Sequence, residues 1–314
     1  MLIYIIVVNY NRPKETIECL RSISNLEIKN SWQLRTIIVD NSPEKILKGK
    51  IKEFSNVKLI ETKQNTGFAG GNNIGIKYAL KNQTDFVMLL NNDTEIDKQA
   101  IVHLISVFHK RKDIGITGPK IYFAPGFEYL QQKYHKKDLG KVIWYAGGHI
   151  DWQNIMGVHE NIDKVDKGQF NKPKEVEFIS GCCMLIKKEV FEKADLLNEK
   201  YFLYLEDMDF CVRAKKAGFK LFFEPKAIVW HKNLGTSKKT ASGIQAYYYT
   251  RNRLLFGFKY ASPRTKAALF RESLKLLIKG NNWQKKGVVD FYLRRFGFSL
   301  PEGQPLREGR EKVI

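Results

Sequence analysis

The sequence predicts an α/β domain with a mostly parallel central sheet and flanking helices, followed by a C-terminal basic helical extension. Three observations predict this architecture. Short β-branched apolar runs alternate with segments of helical period over the first hundred residues, polar residues follow the end of each run, and the charge density rises after residue 237. Alternating strands and helices are typical of a parallel sheet that is covered by helices on both faces.

Four apolar runs are predicted as parallel strands, because each is short and is ended by polar or turn-forming residues. These strands are predicted at residues 2–8, 35–39, 57–60 and 86–90. A helix is expected to open at Pro13, since proline suits the first helical turn. A second helix is predicted over residues 73–81, after a glycine-rich turn, and a third near Glu95.

The second half of the domain is predicted to be less regular. Further strands are predicted at residues 114–117, 177–179, 220–223 and 227–230, with a helix at 206–216. Residues 120–175 contain several Lys and Gly, and we expect loops and short strands there that cover one face of the sheet. We expect residues 1–237 to form one domain and residues 238–314 to form a basic amphipathic tail.

The excess of positive charge is concentrated in this tail. The 314 residues include 53 Lys and Arg and 33 Asp and Glu, a formal net charge of +20. The last 77 residues hold 17 of the bases and 5 of the acids, so 12 of the 20 excess charges lie there. This balance predicts an anionic partner: nucleic acid, an anionic membrane surface or a phosphorylated substrate. With 43% hydrophobic residues, the chain is expected to fold around a core and not to be a disordered polycation.

The apolar runs and the cysteines favour a cytoplasmic protein. The longest apolar run lies within residues 3–8, far below the ~20 residues of a membrane span. No basic region precedes it, as one would in a signal peptide. The four cysteines form no C-x-x-C pair, which argues against a disulfide framework or a zinc knuckle and favours reduced thiols.

Polar residues follow all four predicted parallel strands. Asn9 and Asn11 follow the first strand, Asp40 the second, residues 65–73 the third and residues 91–93 the fourth. Asn and Asp often end strands for purely structural reasons. In an open α/β sheet, however, ligands bind beyond the carboxyl ends of the strands. Four polar segments at one edge therefore favour a binding site.

Two of these segments contain residues that are suited to binding a phosphate, a ribose or a metal ion. Glycines at positions 67, 70, 71 and 75 allow backbone N–H groups to approach a phosphate or ribose closely, although the segment matches neither a phosphate loop nor a dinucleotide fingerprint. Asp93 closes an apolar strand, where a carboxylate can hold a Mg²⁺ or Mn²⁺ ion that bridges two phosphates. Capping of a following helix is the alternative explanation for Asp93.

Three acids crowd the predicted start of the helix at residues 206–216. The helix dipole favours acids there, and Asp209 stands four residues before Arg213, so a helical ion pair explains that acid. Glu206 and Asp207 remain candidates for a general base. His231 follows a strand end and is a candidate metal ligand, although a lone histidine is more often structural.

In their order and spacing these motifs resemble the family 2 glycosyltransferases, and the nearest branch is similar to the rhamnosyltransferase-type enzymes of bacterial surface polysaccharides. The resemblance covers about residues 1–255. It rests on Val8-Asn-Tyr-Asn11, Asp40-Asn41, Asn65-x-Gly-Phe-x-Gly-Gly-Asn-Asn73, Leu90-Asn-Asn-Asp93, Ser180-Gly181, Phe202-x-x-x-Glu-Asp-x-Asp209-x-x-x-Arg213 and Trp230-His231. It implies a GT-A fold, a nucleotide-sugar donor, a divalent metal (Mg²⁺ or Mn²⁺) and inversion at the anomeric carbon.

The resemblance also implies roles for individual residues. Asp207 takes the place of the catalytic base, and Asp93 with His231 would hold the metal; only the last acid of the family's D-x-D motif is present. The implied donor-binding residues are Asn9, Asn11, Asp40, Asn65, Gly67, Gly71, Asn73, Asn92, Gly181 and Arg251. Of these, Asp40 would read the base or ribose, and Arg251 would contact the diphosphate or the acceptor.

The sequence thus predicts an inverting, metal-dependent hexosyltransferase of cell-envelope polysaccharide biosynthesis. Its donor would be dTDP-rhamnose or a UDP-hexose, and its acceptor a hydroxyl of a glycan or lipid-linked saccharide. The alternatives are a metal-dependent nucleotidyltransferase and a non-catalytic protein that binds nucleic acid or another polyanion. The tail is expected to attach the protein to the inner face of the cell membrane, or else to pack on the domain with its basic faces in solvent.

Overall fold

A computed structural model describes residues 1–234 and 239–298 of the chain. The predicted boundary between residues 237 and 238 lies outside the described residues, as does the end of the tail. The strands are β1 (Leu2–Asn9), β2 (Gln33–Asp40), β3 (Val57–Glu61), β4 (Phe86–Leu90), β5 (Thr94–Ile96), β6 (Ile114–Phe123), β7 (Ile143–Tyr145), β8 (Gly148–Asp151), β9 (Met156–His159), β10 (Lys174–Glu175), β11 (Cys183–Lys187) and β12 (Lys220–His231). The helices are α1 (Pro13–Ser24), α2 (Leu47–Lys50), α3 (Gly67–Lys81), α4 (Ala100–Lys110), α5 (Lys188–Ala194), α6 (Glu206–Lys216), α7 (Lys239–Tyr260), α8 (Pro263–Lys279) and α9 (Asn282–Tyr292).

The central sheet is mixed and has the strand order β10-β12-β6-β11-β4-β1-β2-β3. Strands β3, β2, β1 and β4 run parallel to one another, and β12 runs parallel to β6. Strand β11 lies antiparallel between β4 and β6, while β5 and β7 pair at the side of this path. The predicted α/β sheet with flanking helices and a C-terminal helical extension is therefore confirmed.

The elements that were predicted most accurately are those whose apolar or charge pattern lies in consecutive residues. Strand β4 and helix α6 have the predicted bounds, and β1 and β2 differ by a few residues at their ends. All five residues of β4 are buried, as a continuous apolar run in a parallel sheet requires. The register places Asn9 of β1 beside Asp40 of β2, so the polar residues after these strands meet at one edge.

Three other predictions were wrong in detail. Residues 177–179 form no strand, because Glu177 donates its N–H to Gly148 and Phe178 accepts from the Tyr145 hydroxyl outside any ladder. The strand lies further on, at β11. Residues 220–231 form one strand instead of two, with an irregularity at Pro225. The chain after Asp93 continues as strand β5, and helix α4 begins only at Ala100.

The glycine-rich segment is helix and not turn, since α3 begins at Gly67 instead of at residue 73. The glycines allow this helix to lie unusually close to β1. A Cβ atom at Gly71 would stand 2.8 Å from Val8, and one at Gly75 would stand 2.6 Å from Ile6. Glycine disfavours helices by itself, so the close contact with the sheet explains the glycines and fixes the helix there.

Replacing Gly75 with alanine is expected to destabilise the protein by about 1–3 kcal/mol, because the new methyl group overlaps a buried isoleucine of β1. Urea unfolding followed by circular dichroism measures the change. Gly49→Ala is the matched control, because no atom lies within 4 Å of a Cβ placed there. The control is expected to be neutral or to stabilise the protein by about 0.5 kcal/mol. Equal effects of the two substitutions would contradict this close contact.

The three C-terminal helices contact one another, and α7 also contacts the domain. Tyr247 and Tyr248 are buried in a cluster with Phe202, and Arg251 and Asn252 are fully buried. A bidentate ion pair between Arg253 and Glu272 joins α7 to α8. The first helix of the predicted tail thus packs on the segment that precedes α6.

Candidate active site

A buried polar network occupies the carboxyl ends of β1 and β2. The Asn9 amide donates to an Asp40 carboxylate oxygen and to the Ser42 hydroxyl, both at 2.9 Å. The backbone N–H of Asn11 donates to the same hydroxyl at 2.9 Å. The structure therefore brings together the first two predicted polar segments. Ser42 was missed by sequence analysis, although its place directly after Asp40-Asn41 was the available signal.

The network extends to the end of β4. The Asn92 amide donates to the Thr16 hydroxyl at 3.0 Å and to the side-chain Oδ1 of Asn9 at 3.4 Å. Thr16 itself donates to Asn9. Three of the strand ends predicted to converge are thus joined by hydrogen bonds, in a region where buried polar groups hold one another in fixed positions.

A small cavity of about 110 Å³ opens beside this network. Its lining includes Asn9, Asn11 and Ser42, together with Pro13, Glu44, Ile46 and Leu47. Asp40 is fully buried next to it, and its second carboxylate oxygen has no hydrogen-bond partner among the described residues. A buried acceptor of this kind carries a penalty unless a partner reaches it, so Asp40 is suited to receive an N–H or O–H from a ligand.

Asp93 and His231 lie side by side at the end of β12. Nε2 of His231 stands 3.1 Å from Oδ1 of Asp93, while Oδ2 of Asp93 accepts the N–H of Leu234 at 3.1 Å. Burial raises the pKa of Asp93, but the imidazole of His231 and the N–H of Leu234 lower it more, to about 2. The carboxylate is therefore ionised at neutral pH.

This pair fits a divalent cation in the chemistry of its donors. A carboxylate and an imidazole suit Mn²⁺, and a carboxylate with ligand phosphates suits Mg²⁺. Nδ1 of His231 is buried without a hydrogen-bond partner among the described residues, so the hydrogen bond of the ring with Asp93 is made through Nε2 alone. Within the described part of the chain, no group of three or more His, Cys, Asp and Glu side chains could hold a metal. A cation at Asp93 and His231 would need ligand oxygens to complete its shell.

Asp207 stands at the start of α6 and is held by two backbone N–H groups. Gly181 donates to one carboxylate oxygen at 2.9 Å, and Met208 donates to the other at 2.8 Å. Burial raises the pKa of Asp207, and these two N–H groups lower it in part. A carboxylate with a raised pKa and a fixed orientation has the properties of a general base.

The charges of Asp93 and Asp207 both act on the buried thiol of Cys182. Burial is the main cause that raises the pKa of the Cys182 thiol, and the charges of Asp93 and Asp207 both raise it further. Cys182 thus lies near both carboxylates. Glu206, next to Asp207, is buried with one oxygen unpartnered among the described residues, and burial followed by the charge of Asp207 raises its pKa well above the usual value.

Several implied donor-binding residues have internal partners in the structure. Asn65 accepts the N–H of Gly67 at the start of α3. Gly71 faces β1, as described above. Asn73 donates to the carbonyl of Leu197 and accepts its N–H, with a further bond to Glu199. The structure thus uses the Asn73 amide to hold the 197–199 turn.

The predicted contact of Arg251 with the donor or acceptor is not supported by its position. Its guanidinium is fully buried. All of its N–H groups face internal acceptors, which are Asn252 Oδ1, the Tyr247 hydroxyl and the carbonyls of Lys200, Tyr201 and Gly297. We therefore assign Arg251 a structural contact with the loop before α6 instead.

The ion pair predicted on α6 is present. Arg213 donates to Asp209 at 2.7 Å, and it also donates to the carbonyls of Ala194 and Leu196. Asp209 is fully buried and receives further bonds from Lys259 and Tyr260 of α7, at 2.9 and 2.8 Å. The internal contacts of Asp209 thus occupy its carboxylate, which leaves Glu206 and Asp207 as the acids of the first turn of this helix that are available for chemistry.

Comparison with known proteins places the chain in a family. The model of glycosyl transferase family 2 matches residues 4–194. The chain is 28% identical over 252 residues to the low-salt glycan biosynthesis hexosyltransferase Agl10 of Haloferax volcanii, a match that covers 80% of this chain and 74% of the relative. It is 26% identical over 260 residues to the dTDP-rhamnosyl transferase RfbF of Shigella flexneri, covering 81% and 79%.

Solved structures share the fold at low sequence identity. The structure of GalNAc-T7 with UDP, GalNAc and Mn²⁺ aligns with a TM-score of 0.59 at 16% identity, and this chain spans 58% of its length. The mannosyltransferase PcManGT of Pyrobaculum calidifontis, in complex with GDP-Man and Mn²⁺, aligns with a TM-score of 0.55 at 11% identity, covering 95% of this chain and 76% of that one. The alignments extend over nearly the whole of this chain.

Proposed function

Because the chain belongs to glycosyl transferase family 2, we propose that it moves a hexose-type sugar from a nucleoside diphosphate donor to a hydroxyl of a glycan or lipid-linked saccharide, with inversion at the anomeric carbon. The observation that carries this proposal is Asp207, a partly buried carboxylate at the start of α6 that is fixed by two backbone N–H groups. The relatives include an N-acetylglucosaminyl-diphospho-decaprenol L-rhamnosyltransferase of Mycobacterium tuberculosis, which supports a lipid-linked acceptor.

In this proposal the nucleoside enters at the ends of β1 and β2. The free oxygen of Asp40 accepts an N–H of the base or an O–H of the ribose, while Asn9 and Ser42 hold Asp40 in place. Uracil and thymine both present a ring N–H that such an acceptor can receive. Guanine presents a ring N–H as well, so the choice of dTDP-rhamnose or a UDP-hexose as the donor rests on the relatives, which include a dTDP-rhamnosyl transferase.

The transfer step uses Asp207 as the base. Its carboxylate removes the proton of the acceptor hydroxyl as that oxygen attacks the anomeric carbon from the face opposite the nucleotide. The bond between the anomeric carbon and the diphosphate oxygen breaks, and the nucleoside diphosphate leaves. A divalent cation held by Asp93 and His231 would stabilise the negative charge of that leaving group.

A thermal-shift screen tests the donor assignment. With Mn²⁺ present, a UDP- or dTDP-sugar is expected to raise the melting temperature, because ligand that binds only the folded state stabilises it. Asp40→Asn is expected to weaken nucleotide binding by about 10- to 100-fold, since a hydrogen bond to a charged acceptor is worth about 1.5–3 kcal/mol. No shift with any UDP-, dTDP- or GDP-sugar would count against the transferase proposal.

We further propose that α8 attaches the protein to an anionic membrane surface. Phe270, Leu274 and Ile278 are 47%, 44% and 75% exposed and recur every four residues along this helix. Arg271, Lys275 and Lys279 are also exposed and each follows one of these apolar residues. Apolar and basic side chains on one exposed face suit the boundary of anionic headgroups and acyl chains. In the described residues, no helix is long and apolar enough to cross a membrane.

Sedimentation with liposomes tests this attachment. The protein is expected to bind vesicles that contain anionic phosphatidylglycerol, and to be released by salt, because each Lys or Arg near the surface contributes about 1 kcal/mol. Replacing Phe270, Leu274 and Ile278 together by Gln is expected to abolish binding. Ile162→Gln, at an exposed apolar residue far along the chain from α8, is the control. Equal sedimentation with and without anionic lipid would contradict the proposal.

A further inference from the structure

The loop directly before Asp207 has an unusual backbone. Phe202, Tyr204 and Leu205 have φ angles of +62°, +71° and +68°. These angles lie in the left-handed region, which residues other than glycine, asparagine and aspartate rarely adopt. Three such residues in a stretch of four persist only where the surroundings impose the conformation. Since this loop leads into the helix that begins with Glu206 and Asp207, it determines where the proposed base stands.

Two adjacent residues of α7 impose this conformation. Arg251 donates to the carbonyls of Lys200 and Tyr201, at 3.0 and 2.9 Å. The Asn252 amide lies 2.8–2.9 Å from the carbonyls of Tyr201, Leu203 and Tyr204. Four of the five backbone carbonyls from residue 200 to residue 204 thus receive a side-chain hydrogen bond from one turn of one helix.

The side-chain N–H groups of Arg251 and Asn252 that face the loop match its four carbonyl acceptors in number, and they lie in a buried environment. Both side chains are fully buried, so their N–H groups would be left without water if the loop moved away. Arg251 also donates to Asn252 Oδ1 at 3.0 Å, which orients the amide so that its NH₂ group faces the loop. Buried donors that are satisfied only in one arrangement select that arrangement.

The loop is held on its other side as well. The carbonyl of Phe202 accepts the N–H groups of Phe68 and Ala69, at 2.8 and 3.2 Å, in the first turn of α3. The loop therefore connects α7 with the helix that starts at the strand edge of the candidate active site. After the base, Lys259 and Tyr260 of α7 bind Asp209, so the same helix fixes α6 on both sides of Asp207.

We propose that Arg251 and Asn252 are positioning residues that place the Asp207 carboxylate against the Gly181 N–H, so that the basic C-terminal segment completes the catalytic domain. The proposal rests on the proposed function only in giving Asp207 the role of base; the placement itself is a separate claim. Asn252 contributes more than Arg251 to this placement, because its amide reaches the loop residues nearest to Glu206. Neither residue needs to touch the donor or the acceptor.

Hydrogen exchange in Asn252→Ala tests the placement without relying on activity. The Gly181 amide is expected to exchange at least about tenfold faster, because a displaced carboxylate no longer receives its hydrogen bond. Amides of strand β1 are expected to keep their protection. Arg253→Gln is the matched control, since Arg253 lies on the same helix and binds Glu272 of α8 and not the loop. It is expected to change neither set of amides.

Steady-state kinetics on the same variants supplies the second readout. Asn252→Ala is expected to lower kcat about 10- to 100-fold with little change in the donor KM, the pattern of a lost transition-state interaction. Unchanged exchange at Gly181 in a folded Asn252→Ala protein would overturn the proposal, and so would equal acceleration at Gly181 and in β1. If Asn252→Ala does not fold, Asn252→Ser, which keeps one donor, is measured in its place under the same criteria. A wild-type protein without transfer activity would count against the proposed function, while the exchange result would still decide the placement.

Discussion

Replacing Asp207 with asparagine or alanine is expected to lower the turnover number for sugar transfer by about 10²–10⁴-fold, the usual contribution of a positioned base. Asparagine has nearly the same shape but cannot accept the proton of the acceptor hydroxyl. Donor binding is expected to remain, because the nucleoside pocket proposed at Asn9, Asp40 and Ser42 does not include Asp207. Turnover and donor affinity are measured separately, by initial rates and by titration calorimetry.

The pH profile provides a second check on the same residue. Burial raises the pKa of Asp207, so its basic form is lost on acidification at a higher pH than for an ordinary aspartate of about 3.9. The acid limb of kcat against pH is therefore expected to have a midpoint above that value, and Asp207→Asn is expected to remove this limb. Asp195→Asn is the control, because Asp195 is exposed and has a φ of +63° that asparagine tolerates. Transfer at near-normal rates in Asp207→Ala would overturn the assignment of the base.

Removal of divalent metal is expected to have the second-largest effect. EDTA is expected to abolish transfer, and added Mn²⁺ or Mg²⁺ to restore it, because the leaving diphosphate would otherwise lack charge compensation. Asp93→Asn is expected to lower kcat by about 10²-fold or more, since charge stabilisation by a cation is worth several kcal/mol. The metal requirement is measured as the activity of each variant against Mn²⁺ concentration.

Glu95→Gln is the control for Asp93→Asn, because Glu95 is exposed and lies two residues further along the same segment. It is expected to leave both the rate and the Mn²⁺ dependence unchanged. Full activity of the wild-type protein in EDTA would contradict the role proposed for Asp93 and His231. An Asp93→Asn variant with normal kcat at the wild-type Mn²⁺ concentration would contradict it as well.

Local patterns predicted much of the fold. The apolar runs of β1, β2 and β4 and the charge pattern of α6 are properties of consecutive residues, and these elements were placed within a few residues. The start of α3 was misplaced, because single-sequence propensity treats glycine as a helix breaker. The position of α3 is determined instead by the contacts of Gly71 and Gly75 with strand β1. These contacts join residues that are far apart in the chain. Strand β11 was missed for a similar reason, since its pairing with β4 and β6 is antiparallel and non-local.

The candidate site was predictable where residues follow strand ends. Asn9 and Asp40 meet because β1 and β2 are paired in register, and sequence analysis expected this. The contact of Gly181 with Asp207 crosses 26 residues, and that of Arg251 with Lys200 crosses 51. No pattern in the sequence indicates such pairs. The family resemblance implied that Gly181 and Arg251 bind the donor. In the structure the Gly181 N–H donates to Asp207, and the Arg251 guanidinium donates to the carbonyls of the loop before α6.

The most direct test of the central claim, transfer of a sugar from a nucleoside diphosphate, is ³¹P NMR of the reaction products. The wild-type protein is incubated with Mn²⁺, a UDP- or dTDP-sugar that shifts its melting temperature, and an N-acetylglucosaminyl-diphospho-lipid acceptor. Cleavage between the anomeric carbon and oxygen predicts a nucleoside diphosphate as the nucleotide product, formed in step with the lengthened saccharide. Release of sugar 1-phosphate would mean cleavage within the diphosphate with nucleotidyl transfer, and release of a nucleoside monophosphate would mean transfer of the sugar phosphate. Either product would contradict the account.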